Sequence, residues 1–375
     1  MSDPADTMWD VAVVGAGPAG SVTAYAAARR GLSVVLLDKA TFPRRKVCGC
    51  CLNAHALSAL AAVGLGDLPG RLGAVPLTRI ALAAKGRAAT LPQHGSVSLS
   101  RDALDVALIR AATDAGADFR QGVGVKVLGR DAGGWHLDAG GPVRAGRLVD
   151  ASGLNGRLLD TDSAIAPTAR IGAGTVTAAR GLDYERGTVY LGAGRGGYVG
   201  LVRLEDGRLD VAAAFDAAHV RATGSLAAAA AAILREAGMP KLPPDAAWRG
   251  TPPLTRRSRR IAGPGWFAVG DAAGYVEPFT GEGMAWAVAG AAALTPLLSE
   301  PDTAAVATAW GAAYRRHVGA RQWPCRAIAA TLRAPGLCAT LVRALHYWPG
   351  AAGPVVRRLN RPLASVGLAA TPGGI

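Results

Sequence analysis

The sequence predicts an α/β fold: a Rossmann-type (GxGxxG) dinucleotide domain interleaved with an antiparallel β-sheet domain, then a helical C-terminal segment. Three observations predict it. An early apolar run, Val11-Ala12-Val13-Val14, feeds directly into Gly15-Ala16-Gly17-Pro18-Ala19-Gly20. A second apolar run returns much later and ends at Gly270-Asp271. Between them, residues 170–215 show alternating strand patterns and many glycines, as antiparallel strands do. At 375 residues the chain suits two intimately joined domains and can bury a large core.

The elements follow in order. Val11 to Val14 reads as a buried parallel strand. Gly15 permits the tight turn after it, Gly17 lets the backbone approach a pyrophosphate, and Gly20 lets helix and strand pack closely. A helix starting near Pro18 turns its N-terminus toward the phosphate charge. A second strand, Leu32 to Leu37, ends at Asp38, whose carboxylate is placed to accept from ribose hydroxyls. Residues 78–100 are strand-like and turn-rich. Arg101 to Gly116 has helical spacing, with Leu104, Ala107, Leu108 and Ala111 on one face. Arg147 to Ser152 reads as a short strand returning to the nucleotide sheet. Ser225 to Glu236 reads as an alanine-rich helix, Gly265 to Gly270 as a strand, and Glu282 to Leu298 as a helix. From Asp302 on the chain looks helical and arginine-rich. The expected division is a discontinuous dinucleotide domain over 1–77, 99–160 and 258–301, a substrate domain over 78–98 and 161–257, and a C-terminal helical segment over 302–375.

Composition removes several function classes. The formal net charge is +14 with only five Lys, so the positive charge is almost all Arg. No basic-aromatic repeat, zinc-finger spacing or helix-turn-helix pattern accompanies it, so nucleic acid is not an expected partner. An anionic membrane surface or an acidic substrate suits the charge better. The polar start MSDPAD precedes the first strand directly, so no signal peptide is expected. The charge-free run Gly283 to Ser299 is shorter than the ~20 residues a spanning helix needs, and it contains Thr295 and Pro296. Five Cys, three of them crowded together, do not make a secreted disulfide framework. The expected setting is cytoplasmic, with membrane association as an extension of it.

Four segments resemble the FAD-dependent monooxygenases of the para-hydroxybenzoate hydroxylase fold, and within them the geranylgeranyl reductase-like branch that also contains flavin halogenases. The first is the Gly15-Gly17-Gly20-Asp38 set. The second is Pro43-Arg44-Arg45-Lys46-Val47-Cys48-Gly49, similar to a P-R-x-K-x-C-G signature. The third is Arg101 with Asp105 and Leu108, similar to an R-x-x-x-D-x-x-L helix whose Arg approaches the FAD phosphates. The fourth runs from Gly270-Asp271 to Pro278, Gly281, Glu282 and Gly283, similar to G-D-A-A-G-x-x-x-P-x-x-G-E-G. The resemblance implies that the chain carries FAD. It places Gly15, Gly17, Ala19, Gly20, Asp38, Lys39, Arg44, Cys48, Gly49, Arg101, Gly270, Asp271, Gly281, Gly283 and Met284 at the cofactor, and Cys48, Tyr198, Pro278 and Gly281 at the reacting atoms. Asp271 would accept from ribityl hydroxyls. A helix starting near Glu282 would turn its positive end to the anionic edge of reduced flavin, stabilising it by about 0.3–2 kcal/mol.

The chain departs from the pattern in places. In Asp150-Ala151-Ser152-Gly153-Leu154-Asn155-Gly156-Arg157, Ser152 takes the usual Asp place of the hydroxylase D-G motif, and only Gly153 and Arg157 survive. In Gly197-Tyr198-Val199-Gly200, Tyr198 is kept from the reductase strand and Gly200 stands where prenyl reductases carry Trp, which suggests extra space near the flavin. The halogenase W-x-W-x-I-P motif is absent. Cys48-Gly49-Cys50-Cys51 is too tight for an ordinary zinc site, and no metal site is expected. Cys50 and Cys51 read first as packed small thiols, with a covalent flavin link or a redox pair left open. His55 reads as a packed or exposed helix residue.

The resemblance implies an FAD oxidoreductase, with the leading expectation a monooxygenase that hydroxylates an aromatic or polyketide-like substrate with an apolar part through a flavin C4a-hydroperoxide. Reduction of prenyl double bonds is the alternative, with a halogenase or a non-catalytic flavin-binding protein behind it. NAD(P)H or a separate flavin reductase is the expected electron donor, and the substrate is a small, apolar or lipid-like molecule. Oligomeric state is left open. From Arg315 onward there are nine Arg and no Asp or Glu. Leu337, Leu341, Leu345 and Trp348 fall at helical spacing there, so this segment is expected either to touch an anionic membrane surface or to cover the FAD domain.

Overall fold

A computed structural model describes residues 7–154, 156, 158–159, 161–243, 246–277 and 281–359. The first apolar run lies in the strand Met8–Val14. It pairs in parallel with Val34–Asp38 on one side and Pro142–Asp150 on the other, with Val13 opposite both Leu36 and Val149. The sheet extends in parallel to Asp118–Gln121 and Trp266–Ala268. Val11 to Val14 are all buried, as a parallel strand covered on both faces requires.

One face carries the helices Pro18–Ala28, Arg101–Asp114 and Glu282–Leu294, whose Val22, Leu104, Leu108 and Ala285 join Val11, Val13 and Leu36 in a single core. The other face is covered by a hairpin, Lys126–Asp131 and Gly134–Asp138, that branches from Pro142–Asp150. Its Trp135 and Leu137 pack on Ala12, Val14 and Leu37. The sequence reading does not contain this hairpin, because its first strand is short and buries none of its residues. The helix expected to reach Leu298 ends at Leu294, and Thr295–Ser299 continue as a 3-10 turn around Pro296, which cannot donate to a helical ladder.

The second sheet runs Arg249–Pro253, Ile171–Thr177, Leu209–Phe215, Gly197–Arg203, Thr188–Gly194, Val75–Ala84, Arg87–Ser98 and Cys51–Leu52. All neighbours are antiparallel except Thr188–Gly194 and Val75–Ala84, which run parallel. Val75 and the Cys51–Leu52 pair join this sheet from within the stretch expected in the dinucleotide domain. Helix Leu226–Ala237, capped by the Ser225 side chain, packs Ala229, Ala230, Ile233 and Leu234 against Val199, Leu201, Val211 and Phe215.

After residue 302 the chain is helical, as expected: Ala304–Tyr314, a π turn at Arg315–Gly319, Ala320–Thr331, Pro335–Tyr347 and Gly353–Leu359. Helix Pro335–Tyr347 buries Cys338, Ala339 and Val342 against Ala84, Ala89 and Ala193 of the second sheet. It thus covers the antiparallel sheet and leaves Leu337, Leu341 and Trp348 exposed. Among the described residues no single helix is long and apolar enough to cross a membrane.

Candidate active site

Two cavities meet along the segment Arg44–Gly49. The first, of about 330 Å³, is lined by the ends of the parallel strands and by two helix starts. It brings together Gly15, Gly17, Ala19, Asp38, Lys39, Arg44, Cys48, Gly49, Arg101, Gly270, Asp271, Gly281, Gly283 and Met284, residues from five separate stretches of the sequence. Gly20 lies beneath this lining, where a Cβ would stand 1.8 Å from the Gly15 carbonyl oxygen. Gly15 has φ +108°, and a Cβ there would stand 2.2 Å from the Ala151 carbonyl oxygen. The turn therefore admits only glycine at both positions.

Asp38 fixes this turn. Its Oδ2 accepts from the Ala16 N–H at 2.7 Å and its Oδ1 from the Ala40 N–H at 2.8 Å, with the Arg44 guanidinium 3.6 Å away. An ionised carboxylate offers about four acceptor positions, so sites remain for sugar hydroxyls. Arg101 is held by a buried bidentate pair with Asp105, at 2.7 and 2.8 Å. A Cβ on Gly17 would lie 3.6 Å from an Arg44 nitrogen and 3.8 Å from an Arg101 nitrogen. Two guanidinium groups thus converge on the glycine turn, where a pyrophosphate needs them.

At the far end, Asp271 opens into both cavities. Burial raises its pKa, opposed by Lys46 and Arg101. Burial lowers that of Lys46, opposed by Asp271. Gly281 caps helix Glu282–Leu294 in a left-handed conformation, and the helix start is tied down by the Asn53 amide donating to Glu282 at 2.9 Å. The helix presents free N–H groups and a positive end to the cavity. Glycine turn, carboxylate, paired guanidiniums and this second helix start are groups that fit FAD.

The second cavity, of about 420 Å³, has aliphatic walls formed by Leu77, Ile80, Val189, Leu191, Leu201, Val202 and Leu254. Cavities of this size hold small ligands. Cys48, Gly49, Asp271, Tyr275 and Gly281 belong to both cavities. Gly200 lines the second, but the space beside it is not open: a Cβ there would meet Leu191 Cδ2 at 3.2 Å. Leu191, directly opposite in register, occupies the extra space that Gly200 suggested.

Tyr198 lines the second cavity and is 6% exposed. Burial pushes its pKa well above the usual phenol range, and its hydroxyl bonds to Glu277. Arg170 donates to Glu277 at 3.2 Å and to Asp216 at 3.1 Å, and its guanidinium lies 5.7 Å from the Tyr198 ring centre. Arg333, from the C-terminal helices, joins the same acids at 3.5 and 3.9 Å. The sequence reading misses Arg170, Glu277 and Arg333, since no motif carries them; only the position of Glu277 beside the Pro278 motif offered a signal.

Cys48 stands where the cavities join. The Cys50 thiol, donating to its sulfur, and the Arg101 guanidinium lower its pKa to about 6 against the opposing effect of burial. His55 is fully buried on helix Ala54–Ala62 and held neutral by that burial, a packed helix residue. Ser152 donates to Asp150 rather than into the cavity centre. Pro278, Asn155 and Arg157 lie outside the described residues. Among the described residues no group of three or more His, Cys, Asp or Glu could hold a metal ion.

Comparison with known proteins agrees with this geometry. Residues 8–139 match an FAD binding domain. The chain is 28% identical over 341 residues to a menaquinone reductase of Mycolicibacterium smegmatis, covering 83% of this chain and 81% of that protein. It is also 28% identical over 301 residues to digeranylgeranylglycerophospholipid reductase 2 of Methanopyrus kandleri, covering 74% and 73%. A flavin-dependent brominase superposes with a TM-score of 0.75 at 18% identity, over 94% of each chain. A probable FAD-dependent monooxygenase of Pseudomonas aeruginosa gives 0.70 at 20%, over 90% of this chain and 100% of that one. The fold is therefore that of the FAD-dependent monooxygenases and halogenases. The chain is an FAD-binding flavoprotein oxidoreductase.

Proposed function

We propose that this chain is an FAD-dependent reductase of carbon–carbon double bonds in an isoprenoid-like, lipid-soluble substrate. The observation that carries the reading is the apolar cavity that meets the FAD cavity at a lowered-pKa thiol and carries a buried, neutral phenol in its wall. The reductases among the relatives, matched over about three quarters or more of the chain, support it.

FAD, bound and reduced, would supply hydride equivalents. The chain supplies the rest. Aliphatic walls from Leu77 to Leu254 hold a hydrocarbon chain and exclude water. Tyr198 Oη keeps its proton because burial disfavours the phenolate, and it stands ready as general acid to the substrate carbon. Glu277, pinned by Arg170, orients that hydroxyl. Arg44, Lys46 and Arg101 neutralise the cofactor's negative charge. NAD(P)H or a separate flavin reductase would deliver the electrons.

The C-terminal helices fit a lipid-soluble substrate. Val356 lines the substrate cavity. Of the ten large apolar side chains exposed among the described residues, six (Trp323, Leu337, Leu341, Tyr347, Trp348 and Val355) lie in this segment. From Arg315 onward the segment also carries nine Arg and no acidic residue, a composition suited to an anionic lipid surface.

Hydroxylation is the second reading, favoured by the fold shared with the monooxygenase and the brominase. A thiolate at the junction counts against it, since thiolates are readily oxidised. The deciding experiment is product mass with a prenylated quinone. Under strict anaerobiosis with chemically reduced enzyme, a gain of two hydrogens is expected, and Tyr198→Phe should slow it about 100-fold or more with unchanged FAD content. One atom from labelled O2 in the product, with no anaerobic turnover, would replace this reading by hydroxylation.

A further inference from the structure

Cys48, Gly49 and Cys50 turn tightly at the junction of the two cavities. Cys50 adopts φ +49°, a conformation that few non-glycine residues take. In this turn Cys48 packs against the cluster that holds the buried Cys50. The contact is one link of a longer buried chain. Asp105 holds Arg101, the Arg101 charge favours the Cys48 thiolate, and the Cys50 thiol acts on both Cys48 and the Asp210 carboxyl. Asp210 is 3% exposed, and its Oδ2 has no hydrogen-bond partner. Cys48 opens into both cavities, whereas Cys50 is buried behind it. The arrangement pairs an accessible, arginine-activated sulfur with a second thiol two residues on, packed behind it, as redox-active dithiols require. Cys51 differs: it belongs to the strand pairing with Ser98, and its carbonyl and Cβ back onto Gly281.

We propose that Cys48 and Cys50 are a redox-active dithiol, a second two-electron centre beside the FAD site, which hydrogen peroxide oxidises to a disulfide. Peroxide forms wherever reduced flavin meets O2, and this junction is where it would be released. The Cys48 thiol ionises, and its thiolate attacks one peroxide oxygen. The O–O bond breaks, the departing hydroxide takes up the proton just released as water, and Cys48 becomes a sulfenic acid. The Cys50 sulfur then attacks the Cys48 sulfur; the S–O bond breaks, and the hydroxyl leaves with the Cys50 proton as a second water. Two thiols and one peroxide thus give one disulfide and two waters. Arg101 favours the thiolate. Asp210 orients the Cys50 thiol. A dithiol reductant restores the pair.

The test uses FAD-loaded enzyme freed of reductant and treated with equimolar hydrogen peroxide. The free thiols, five in the untreated chain, should fall to three, the intact mass should drop by two hydrogens, and dithiothreitol should restore both. Fragment mapping of the untreated and treated wild type should locate the new bond between Cys48 and Cys50 without any variant. Cys50→Ser should keep the Cys48 sulfenic acid, trapped by dimedone, while Cys51→Ser should still lose two thiols. Five thiols surviving in the wild type would overturn the proposal, as would loss that requires Cys51 in place of Cys50. Direct passage of Cys48 to a sulfinic acid with no disulfide would do the same.

Discussion

The two cavities share the wall Arg44–Gly49 yet are built from different material. The FAD cavity is largely backbone: two glycine-lined turns, two helix starts, and a carboxylate, Asp38, held by the N–H groups of Ala16 and Ala40. The second cavity is largely side chain: aliphatic walls with Tyr198 among them, and behind Tyr198 the buried pair Glu277 and Arg170. A site made of backbone loses little when one side chain is removed, because its remaining amides stay in place. A buried charge cluster fails abruptly, because removing one partner leaves the other charged and desolvated. The shared wall combines both behaviours, since Cys48 is fixed by a backbone turn and tuned by Arg101.

The largest expected effect lies in the substrate half. Arg170 and Glu277 are each 1% exposed at the side chain. Arg170→Ala should cost about 3–5 kcal/mol of stability, read as a lower urea midpoint. A cost below about 1 kcal/mol would put both halves on the same footing. Asp271→Ala tests the other half. Each hydrogen bond lost to the cofactor is worth about 0.5–1.5 kcal/mol, so FAD retention should weaken by about tenfold while the protein stays folded. A variant wholly unable to bind FAD would show that this cavity, too, depends on single side chains.

A smaller effect sharpens the view of the shared wall. With its pKa lowered to about 6, Cys48 gains its thiolate as pH rises through that value. Alkylation of FAD-free protein at Cys48 should therefore increase about tenfold between pH 5 and 7 and change little above. An increase centred near 9, the ordinary thiol value, would mean that Arg101 and Cys50 do not tune it. The smallest effect concerns the cover of the substrate half. Each Arg near an anionic surface adds about 1 kcal/mol, so the protein should float with anionic vesicles and not with neutral ones. Removal of residues after Pro335 should abolish the difference; equal recovery with both vesicle types would remove the membrane face from the comparison.

Much of the FAD half was legible because its determinants are local. Gly15, Gly17 and Gly20 mark a turn whose steric demands are met within a few residues, and Asp38 follows at the end of the next strand. The segments at Arg44 to Gly49, at Arg101 and at Gly270 to Gly283 were likewise readable as short patterns, and the fold gathers Arg44, Cys48, Gly49, Arg101, Gly270, Asp271, Gly281 and Gly283 in one cavity. The alternation of residues 170–215 also announced the antiparallel sheet. Less was legible where partners are remote or patterns are weak. The hairpin Lys126–Asp138 has a first strand without buried residues, so no hydrophobic period marks it. Gly200 suggested open space, but the facing strand places Leu191 there.

By itself, then, the sequence determined a dinucleotide turn, a flavin-type second loop and an interleaved antiparallel sheet, because backbone conformation and strand alternation are encoded by neighbours along the chain. Only the tertiary structure decided which charged and thiol groups meet around the second cavity. Arg170 finds Glu277 across 107 residues, and Arg333 finds Asp216 across 117. Cys50 finds Asp210 on a strand of the second sheet. No spacing rule links such residues. The charges of Arg170 and Glu277, each 1% exposed at the side chain, are compatible with burial because packing brings the two together.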